Sequence, residues 1–458
     1  MRRAGRTKNR RSPGEIPCAA QLGSHDMTTN TVRVGLLGCG VVGGATARIL
    51  LDHSEELARR SGMGLEIARI AVRSLSKARD VELPPEIWTT DPWEVVNDPS
   101  IHVVVEAIGG IEPARDLILE ALKSGKHVVT ANKELLSTLG RELMDAAESS
   151  SVDLLFEAAV AGGIPIIRPM KESLAGDRVR RVMGVVNGTT NFILTRMSET
   201  GGSFADALAE AEELGYAEMD PTADIEGFDA AAKLSILASI AFNARVVAGD
   251  VHREGIAHLT PADIKAAHDL GYEVKLLAVA EMLDGEVSAR VHPSMVPKTH
   301  PLASVRDVFN AVFIEGDEVG ELMFFGRGAG AGPTGSAVVG DLVEIARNLR
   351  NGTRGIGCTC YHDRARIRSQ DETRVRYYVV LSVLDQPGVL SAVAGLFAKH
   401  GVSIASVRQE GTGEEAMLAI ITHVATDGQH NATFNELETL DTVRSIMSRL
   451  RVEGTGEE

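Results

Sequence analysis

Carboxylates and a lysine are concentrated in residues 214–233, where their types and spacing suit proton transfer. Five carboxylates fall within 214–229, and Asp229 and Lys233 are four positions apart, so on a helix they share one face and can pair. The positions after Lys233 are almost all apolar through Ala241, which places this lysine where a helix enters a core. A lysine held among carboxylates can bind a polar substrate and move protons, whereas a solvated ion pair is the alternative interpretation.

A second lysine, Lys133, follows a predicted buried strand over 127–130. It ends the segment Thr130-Ala131-Asn132-Lys133, at the edge where an open α/β sheet binds its ligands. The position predicts a cofactor or substrate contact, and a surface lysine at the start of a helix explains it equally well. The sequence shows no metal-ligand cluster and no Ser/His/Asp or Cys/His set. The two lysines therefore favour hydride transfer with lysine-assisted proton movement.

A glycine-rich turn links the first predicted strand, 32–37, to a helical pattern that begins at Ala45. Its Gly-x-Gly-x-x-Gly spacing permits a tight turn and lets helix N–H groups approach a pyrophosphate. The turn is therefore predicted to bind a dinucleotide. The residues assigned to this contact are Gly38, Cys39, Gly40, Val41, Val42 and Gly43.

The end of the second predicted strand, 65–72, indicates which nicotinamide cofactor is bound. Arg73 follows this strand directly, and Lys77 comes four residues later. A basic residue here would bind the 2′-phosphate of NADP, whereas an acidic residue would bind the ribose 2′-hydroxyl of NAD. We therefore predict NADP held by Arg73 and Lys77. The alternative is an exposed arginine in a turn, with NAD as the cofactor.

The order of predicted elements divides the chain into domains. Strands alternating with helices from Thr31 predict a Rossmann-type, doubly wound parallel sheet, and long helical stretches at 204–214 and 229–241 predict an α+β domain. After a polar linker, the pattern predicts a strand, a helix, two strands and a final helix over 434–450. The predicted units are 31–160 with 321–350 for the cofactor, 161–320 for substrate binding and oligomerisation, 351–373 as the linker, and 374–458 as a C-terminal module.

Composition limits the classes of partner. The 458 residues include 47 basic and 63 acidic ones, a formal charge of −16, which disfavours nucleic acid or an anionic membrane surface and favours a small-molecule partner. Residues 1–30 are predicted to be a disordered basic tail, with Met27 as an alternative translation start. Four cysteines and no apolar run of membrane length predict a reduced, cytoplasmic protein. Cys358 and Cys360, with His362 nearby, are interpreted as part of a surface loop. The alternative is that the two cysteines bind a metal ion.

Several segments together resemble the homoserine dehydrogenase family over nearly the whole chain from Val32. The block 214–233 is highly specific, whereas the glycine turn alone is not. The resemblance extends to the monofunctional form with a C-terminal ACT domain, which implies a βαββαβ fold for the last module. The other matching segments are Thr130 to Lys133, 156–165, Asn187-Gly188-Thr189-Thr190-Asn191 and Gly328-Ala329-Gly330.

The resemblance implies reversible, NAD(P)H-dependent reduction of L-aspartate 4-semialdehyde to L-homoserine, on the route to threonine, methionine and isoleucine. It implies that Lys233 donates a proton to the developing alkoxide and that Lys133 is a second essential lysine near cofactor and substrate. Glu218 and Asp229 are expected to hold the amino and hydroxyl ends of the substrate. The further implied contacts are Asp224, Thr189 and Tyr216 for the substrate, and Gly215 and Gly330 for the cofactor.

The resemblance also implies a monovalent cation, a regulator and an assembly. Glu157 and the carbonyls of Val160, Gly162 and Ile164 would bind Na+, with K+ as the alternative, because oxygen ligands suit a hard cation. The turn 385–390 would bind threonine as a feedback inhibitor. The alternative, equally consistent with the sequence, is that the C-terminal module serves dimerisation and binds no ligand. A homodimer or homotetramer is expected.

Two other functions compete with this interpretation. One is an aspartate-semialdehyde dehydrogenase, which needs a cysteine nucleophile in its substrate domain. Residues 31–357 contain one cysteine, Cys39, and it lies in the glycine turn instead. The other is a non-catalytic amino-acid sensor. The presence of Lys133, Glu218, Asp229 and Lys233 argues against it.

Overall fold

The first domain is built on a parallel sheet. The computed structural model describes residues 30–411 and 415–454, so residues 1–29 of the predicted tail, with the alternative start at Met27, lie outside the described residues. The strands run in the order β3-β2-β1-β4-β5-β6, and β4 and β5 are wholly buried, as expected of a parallel sheet covered on both faces. The strands are β1 (Thr31–Leu37), β2 (Gly64–Ala71), β3 (Trp88–Thr89), β4 (Val103–Glu106), β5 (His127–Thr130) and β6 (Leu154–Leu155).

Helices cover both faces of this sheet, as predicted for a Rossmann-type domain. The strand order reverses between β1 and β4, and the crevice at their carboxyl ends is where such sheets bind ligands. One helix comes from far along the chain: α11 packs on α1, and its buried Val338 and Leu342 join the same core as Val34 and Leu36. The helices are α1 (Val41–Asp52), α2 (Ser54–Ser61), α3 (Pro92–Val96), α4 (Ala114–Lys123), α5 (Lys133–Ser149) and α11 (Ala331–Asn351).

The second domain is a mixed sheet covered by helices. The boundary predicted at residue 321 differs from the structure, because Gly320–Arg327 forms β12 and pairs with β11 in this sheet. The chain returns to the first domain with α11. The other strands are β7 (Val179–Val185), β8 (His252–Arg253), β9 (Tyr272–Leu283), β10 (Glu286–Pro297) and β11 (Phe309–Gly316). The helices are α6 (Gly188–Thr200), α7 (Phe204–Glu213), α8 (Thr222–Ile225), α9 (Phe228–Phe242) and α10 (Pro261–Asp269).

The C-terminal module has the βαββαβ order of an ACT domain, as the family resemblance implies, and its last strand corrects the helix predicted from the sequence pattern. The helix predicted over 434–450 is wrong, because α13 ends at Leu437 and the chain continues as β17. This strand pairs antiparallel with β13 and parallel with β10, so it satisfies backbone groups on two sheet edges and joins the module to the second domain. The elements are β13 (Arg374–Leu384), α12 (Val389–Lys399), β14 (Ile404–Glu410), β15 (Glu415–Thr422), β16 (Ala425–Thr426), α13 (Asp427–Leu437) and β17 (Val443–Val452).

The cysteines of the linker also differ from the prediction. Cys358 and Cys360 are joined by a disulfide, so the prediction of reduced cysteines is wrong for this pair and their sulfurs are not free metal ligands. The short spacing brings the two Cα atoms to 5.2 Å, a separation usual for disulfides. Over the described ranges, His, Cys, Asp and Glu form no group of three or more that could hold a metal ion. None of the helices in those ranges is long and apolar enough to cross a membrane.

Candidate active site

Three charged side chains meet at the start of α9. The carboxylate of Asp229, 10% exposed, lies with Oδ1 3.2 Å from Lys133 Nζ and Oδ2 2.7 Å from Lys233 Nζ. Asp229 and Lys233 stand one turn apart on α9, and Lys133 is the first residue of α5. The structure therefore brings both predicted lysines onto one carboxylate.

The turn between β5 and α5 positions Lys133. The side chain of Asn132 caps α5, and its amide nitrogen donates to the carbonyl oxygen of Gly110 at 2.7 Å. Beneath this turn, Thr130 Oγ1 donates to the buried carboxylate of Glu106 at 2.5 Å. These bonds lock together the loops that follow β4 and β5, so Lys133 starts from a fixed backbone.

The electrostatics of the centre keep it charged. Burial disfavours the ionised form of Asp229, but Lys233, Lys133 and a hydrogen bond from Asn187 outweigh it and lower its pKa to about 2. Burial likewise disfavours the charged form of Lys133, yet Asp229 raises the pKa of this lysine above its ordinary value. Lys233 donates a second hydrogen bond to the carbonyl of Val186 at 2.8 Å, which fixes its ammonium group.

The other predicted substrate residues are only partly brought together. Thr189 Oγ1 donates to the carbonyl of Tyr216 at 2.7 Å, so the start of α6 and the loop after α7 are in contact. Asp224 is connected to Asp229 through the side chain of Asn187. Glu218 lies exposed in the loop after α7 and makes no ion pair with any residue that the structure describes.

A cleft of about 420 Å³ lies at the carboxyl ends of β1, β2 and β4. A Cβ atom on Gly43 would come within 2.1 Å of the carbonyl oxygen of Gly38, so the turn requires glycine there. Gly40 has no side chain to cap α1, which leaves the first N–H groups of this helix, at Val41 and Val42, for a phosphate. These features fit a dinucleotide. The predicted residues that line the cleft are Gly38, Cys39, Gly40, Arg73 and Lys77. The other predicted cofactor residues are not part of its lining: Val41, Val42, Gly43, Lys133, Gly215 and Gly330.

Arg79 also lines this cleft, although it is not among the cofactor residues predicted from the sequence. Its guanidinium lies 5.1 Å from the centre of the Trp88 ring and donates to the carbonyl oxygens of Ser74 and Lys77. The signal was the recurrence of basic residues after β2, at 73, 77 and 79. Three basic side chains therefore border the place where the second strand ends.

Cys39 does not resemble an activated nucleophile. It is a free thiol in the glycine turn, and burial raises its pKa while the charge of Arg79 opposes the shift only in part. A raised pKa keeps the thiol protonated at neutral pH. The geometry therefore does not support the aspartate-semialdehyde dehydrogenase interpretation.

The predicted cation turn is oxygen-rich and tightly folded. The buried Glu157 carboxylate accepts N–H groups from Ile166, Ile167 and Arg168 at 2.6 to 2.9 Å. Ala161 has φ of 53°, a left-handed conformation that is costly for a residue other than glycine. Glu157 Oε2 accepts one of these bonds and keeps a lone pair, so an oxygen-ligated monovalent cation fits this donor set.

A Rossmann-type sheet with a glycine cleft, beside a lysine–carboxylate centre, defines a nicotinamide-dependent oxidoreductase. Three family models match the chain: homoserine dehydrogenase over 165–343, the NAD-binding domain of homoserine dehydrogenase over 38–157, and the ACT domain over 377–441. The homoserine dehydrogenase of Mycobacterium tuberculosis is 52% identical over 436 residues, which cover 93% of this chain and 98% of that protein.

Solved structures agree with the family models. The crystal structure of a homoserine dehydrogenase from Thiobacillus denitrificans matches with a TM-score of 0.88 and 42% identity, covering 93% of this chain and 99% of the other. A hyperthermophilic archaeal homoserine dehydrogenase in complex with NADPH matches with a TM-score of 0.59 and 30% identity, covering 69% of this chain and 97% of the other. This chain belongs to the homoserine dehydrogenase family, oxidoreductases that act on a CH–OH group.

Proposed function

We propose that this chain catalyses the reversible reduction of L-aspartate 4-semialdehyde to L-homoserine with NADPH, in the synthesis of threonine, methionine and isoleucine. The observation that carries the proposal is the Asp229 carboxylate shared by Lys133 and Lys233. This centre adjoins the cofactor cleft, because Asn132 beside Lys133 is bonded to the loop that follows β4. A protonated lysine next to a hydride donor is what carbonyl reduction needs.

In this mechanism Lys233 is the proton donor. The nicotinamide, when bound, supplies the hydride to the aldehyde carbon. As negative charge develops on the aldehyde oxygen, the ammonium of Lys233 stabilises it and donates its proton, and the lysine is reprotonated from solvent. In the reverse direction the neutral amine accepts the hydroxyl proton of homoserine. Asp229 and the carbonyl of Val186 hold the ammonium in place throughout.

The carboxylates supply the negative charge that an amino-acid ammonium group requires. Asp224 and Asp229 are already assembled, and Thr189 and Tyr216 line the same region. Glu218, exposed in the loop after α7, is assigned to the amino end of the substrate. Gly215 in that loop and Gly330, the residue before α11, are assigned as further cofactor contacts, although neither lines the cleft.

The basic side chains at the end of β2 favour NADP over NAD. Arg73, Lys77 and Arg79 line the cleft together, and guanidinium groups bind phosphate in a bidentate manner. The archaeal relative in complex with NADPH supports this assignment.

The test is direct: purified protein is incubated with L-homoserine and either NADP or NAD while the absorbance of the reduced cofactor is followed. We expect reduction of NADP with a higher kcat/KM than reduction of NAD. No homoserine-dependent reduction of either cofactor would show that the proposed reaction is wrong. Equal kcat/KM for both cofactors, unchanged by Arg73→Ala, would remove the NADP preference alone.

Glu157, with the carbonyls of Val160, Gly162 and Ile164, is assigned a structural Na+. The strained backbone at Ala161 supports this assignment, because a strained turn requires compensation from its surroundings. The subunits are expected to associate as a homodimer or homotetramer.

Threonine is the proposed feedback inhibitor, bound through the ACT domain at 385–390. The ACT strand β17 continues the sheet of the second domain, which gives the regulator a rigid connection to the enzyme. Arg451 on this strand donates to the Glu254 carboxylate at 2.8 Å and to Asp427 at 3.2 Å. The side chain of Arg451 is 4% exposed, so this connection is made inside the protein.

The residues on either side of Glu254 contact the start of α9 and the residues just before it. Glu254 follows Arg253, whose guanidinium lies 3.7 Å from the centre of the Phe228 ring, and Phe228 precedes Asp229. Two residues beyond Glu254, the N–H of Ile256 donates to the carbonyl of Ile225 at 2.9 Å. A shift of β17 on binding threonine would therefore reach the backbone that carries the catalytic carboxylate.

A further inference from the structure

Asn187 lies where β7 ends and α6 begins, beside the lysine–carboxylate centre. Its amide nitrogen donates to Asp224 Oδ1 at 2.6 Å and to Asp229 Oδ2 at 2.9 Å. Its side-chain oxygen accepts from the N–H of Thr190 at 2.9 Å and caps α6. The residue is 5% exposed, and its bonds to the two carboxylates are partly buried. One side chain therefore joins two carboxylates and a helix start.

The chemistry of this position favours an amide. Two neighbouring carboxylates repel each other, and a hydrogen-bond donor that bonds to both of them offsets this repulsion. The amide of Asn187 offers two N–H groups to Asp224 and Asp229 without adding charge, whereas a lysine would add a competing ammonium. A serine hydroxyl carries one proton and cannot serve both carboxylates, although it caps a helix as well as asparagine does.

The orientation of Asp229 depends on this amide. Oδ1 of Asp229 faces Lys133, and Oδ2 is shared by Lys233 and Asn187. Without the amide, the carboxylate is held by two long and flexible side chains alone. It can then rotate so that one lysine loses its partner.

We propose that Asn187 is a positioning residue for the reaction. It fixes the Asp229 carboxylate between Lys133 and Lys233, and it hydrogen-bonds Asp224 as well. One side chain therefore positions both a carboxylate that binds substrate and the carboxylate that holds the proton donor. The inference rests on the proposed function and extends it to a residue that touches neither the reacting carbon nor the cofactor cleft.

The test compares Asn187→Ser with the wild-type protein. Serine keeps the helix cap and removes the bridge, so we expect kcat for homoserine oxidation to fall about 10- to 100-fold, the range for losing hydrogen bonds to charged groups. The dissociation constant for NADPH should stay close to its wild-type value, and the melting temperature should fall no further than in the Asn191→Ser control described below. Asn187→Ala, which removes cap and bridge together, should lose stability as well.

A matched control lies one turn further along α6. Asn191 is 1% exposed and uses its amide nitrogen on the carbonyl of Asp307 at 2.8 Å, while its oxygen accepts from Lys275. Asn191→Ser removes buried bonds of the same kind away from the centre. It should lower the melting temperature and leave the kcat of the folded protein unchanged.

Wild-type kcat in Asn187→Ser would overturn the inference, as would a loss that merely follows stability. If the wild-type protein does not oxidise homoserine, the proposed function is wrong, and the crystal structure of Asn187→Ser then decides the inference separately. Asp229 turned away from Lys133 or Lys233 would support it. Both contacts unchanged at 3.2 and 2.7 Å would overturn it.

Discussion

Replacing Asp229 with asparagine removes one charge from a buried centre and keeps its shape. The pKa of Asp229 is lowered from an ordinary 3.8 to about 2, because the two lysines and Asn187 outweigh the cost of burial. Each tenfold change in an acid dissociation constant is worth about 1.4 kcal/mol. The ionised carboxylate therefore contributes about 2 kcal/mol to the free energy of unfolding at neutral pH.

The sign of the pH dependence follows from the lowered pKa. The contribution is complete above the pKa of the unfolded chain and is lost as the pH falls through the pKa of the folded protein. The stability advantage of the wild type over Asp229→Asn should therefore shrink by about 1 kcal/mol between pH 7 and about pH 3. Urea unfolding of both proteins at the two pH values, followed by circular dichroism, measures this difference.

The control is Asp269→Asn, which removes a carboxylate from an exposed i,i+4 pair with Lys265 on α10. This change should alter stability little at either pH, because exposed pairs contribute little. Equal stability of Asp229→Asn and wild type at pH 7 would show that the ionised carboxylate does not stabilise the folded protein. A wild-type advantage that grows as the pH falls would contradict the predicted sign of the pH dependence.

Three further changes test separate parts of the proposal. Arg79→Ala should raise the KM for NADPH about tenfold and leave the KM for NADH unchanged, because one partner of the 2′-phosphate is lost. Steady-state kinetics with both cofactors measure the two KM values. An equal increase for NADPH and NADH would contradict the prediction. Glu254→Gln should weaken inhibition by threonine and leave uninhibited turnover near normal, since it alters the contact with Arg451; titration of activity with threonine measures the change, and unaltered inhibition would remove Glu254 from the route. Glu157→Gln should lower the melting temperature and abolish its rise when NaCl replaces choline chloride; a Na+ response that survives the substitution would place the cation elsewhere.

The first domain was predictable because its pattern is local. The short apolar strands before the glycine turn and before Lys133 read directly as a parallel sheet, and α5 begins at Lys133 in the structure. Asp229 and Lys233 were predictable as a pair because helix geometry fixes residues four apart. The family resemblance added what no local pattern contains, namely the proposed substrate and the proposed role of Lys133.

The remaining features depend on contacts between distant segments. The strand β17 was predicted as helix because its pairing with β13 and β10 is decided by sheet edges elsewhere in the chain. The two carboxylates on Asn187 come from 37 and 42 residues further along, so the spacing in its own segment does not reveal its role. Arg79 was not predicted because it reaches the cleft from a segment, residues 72–84, that has neither helix nor strand.

The assignment of Lys233 as the proton donor is tested by the substitution Lys233→Met. Methionine keeps the bulk of the side chain, which is 12% exposed, and removes the ammonium. Lys275→Met is the matched control, since Lys275 is a buried lysine bonded to Asn191 and the carbonyl of Val305, away from Asp229. Homoserine-dependent reduction of NADP should fall at least about 100-fold in Lys233→Met, with NADPH binding retained and with the control keeping its kcat. Near-normal turnover in Lys233→Met would contradict the assignment.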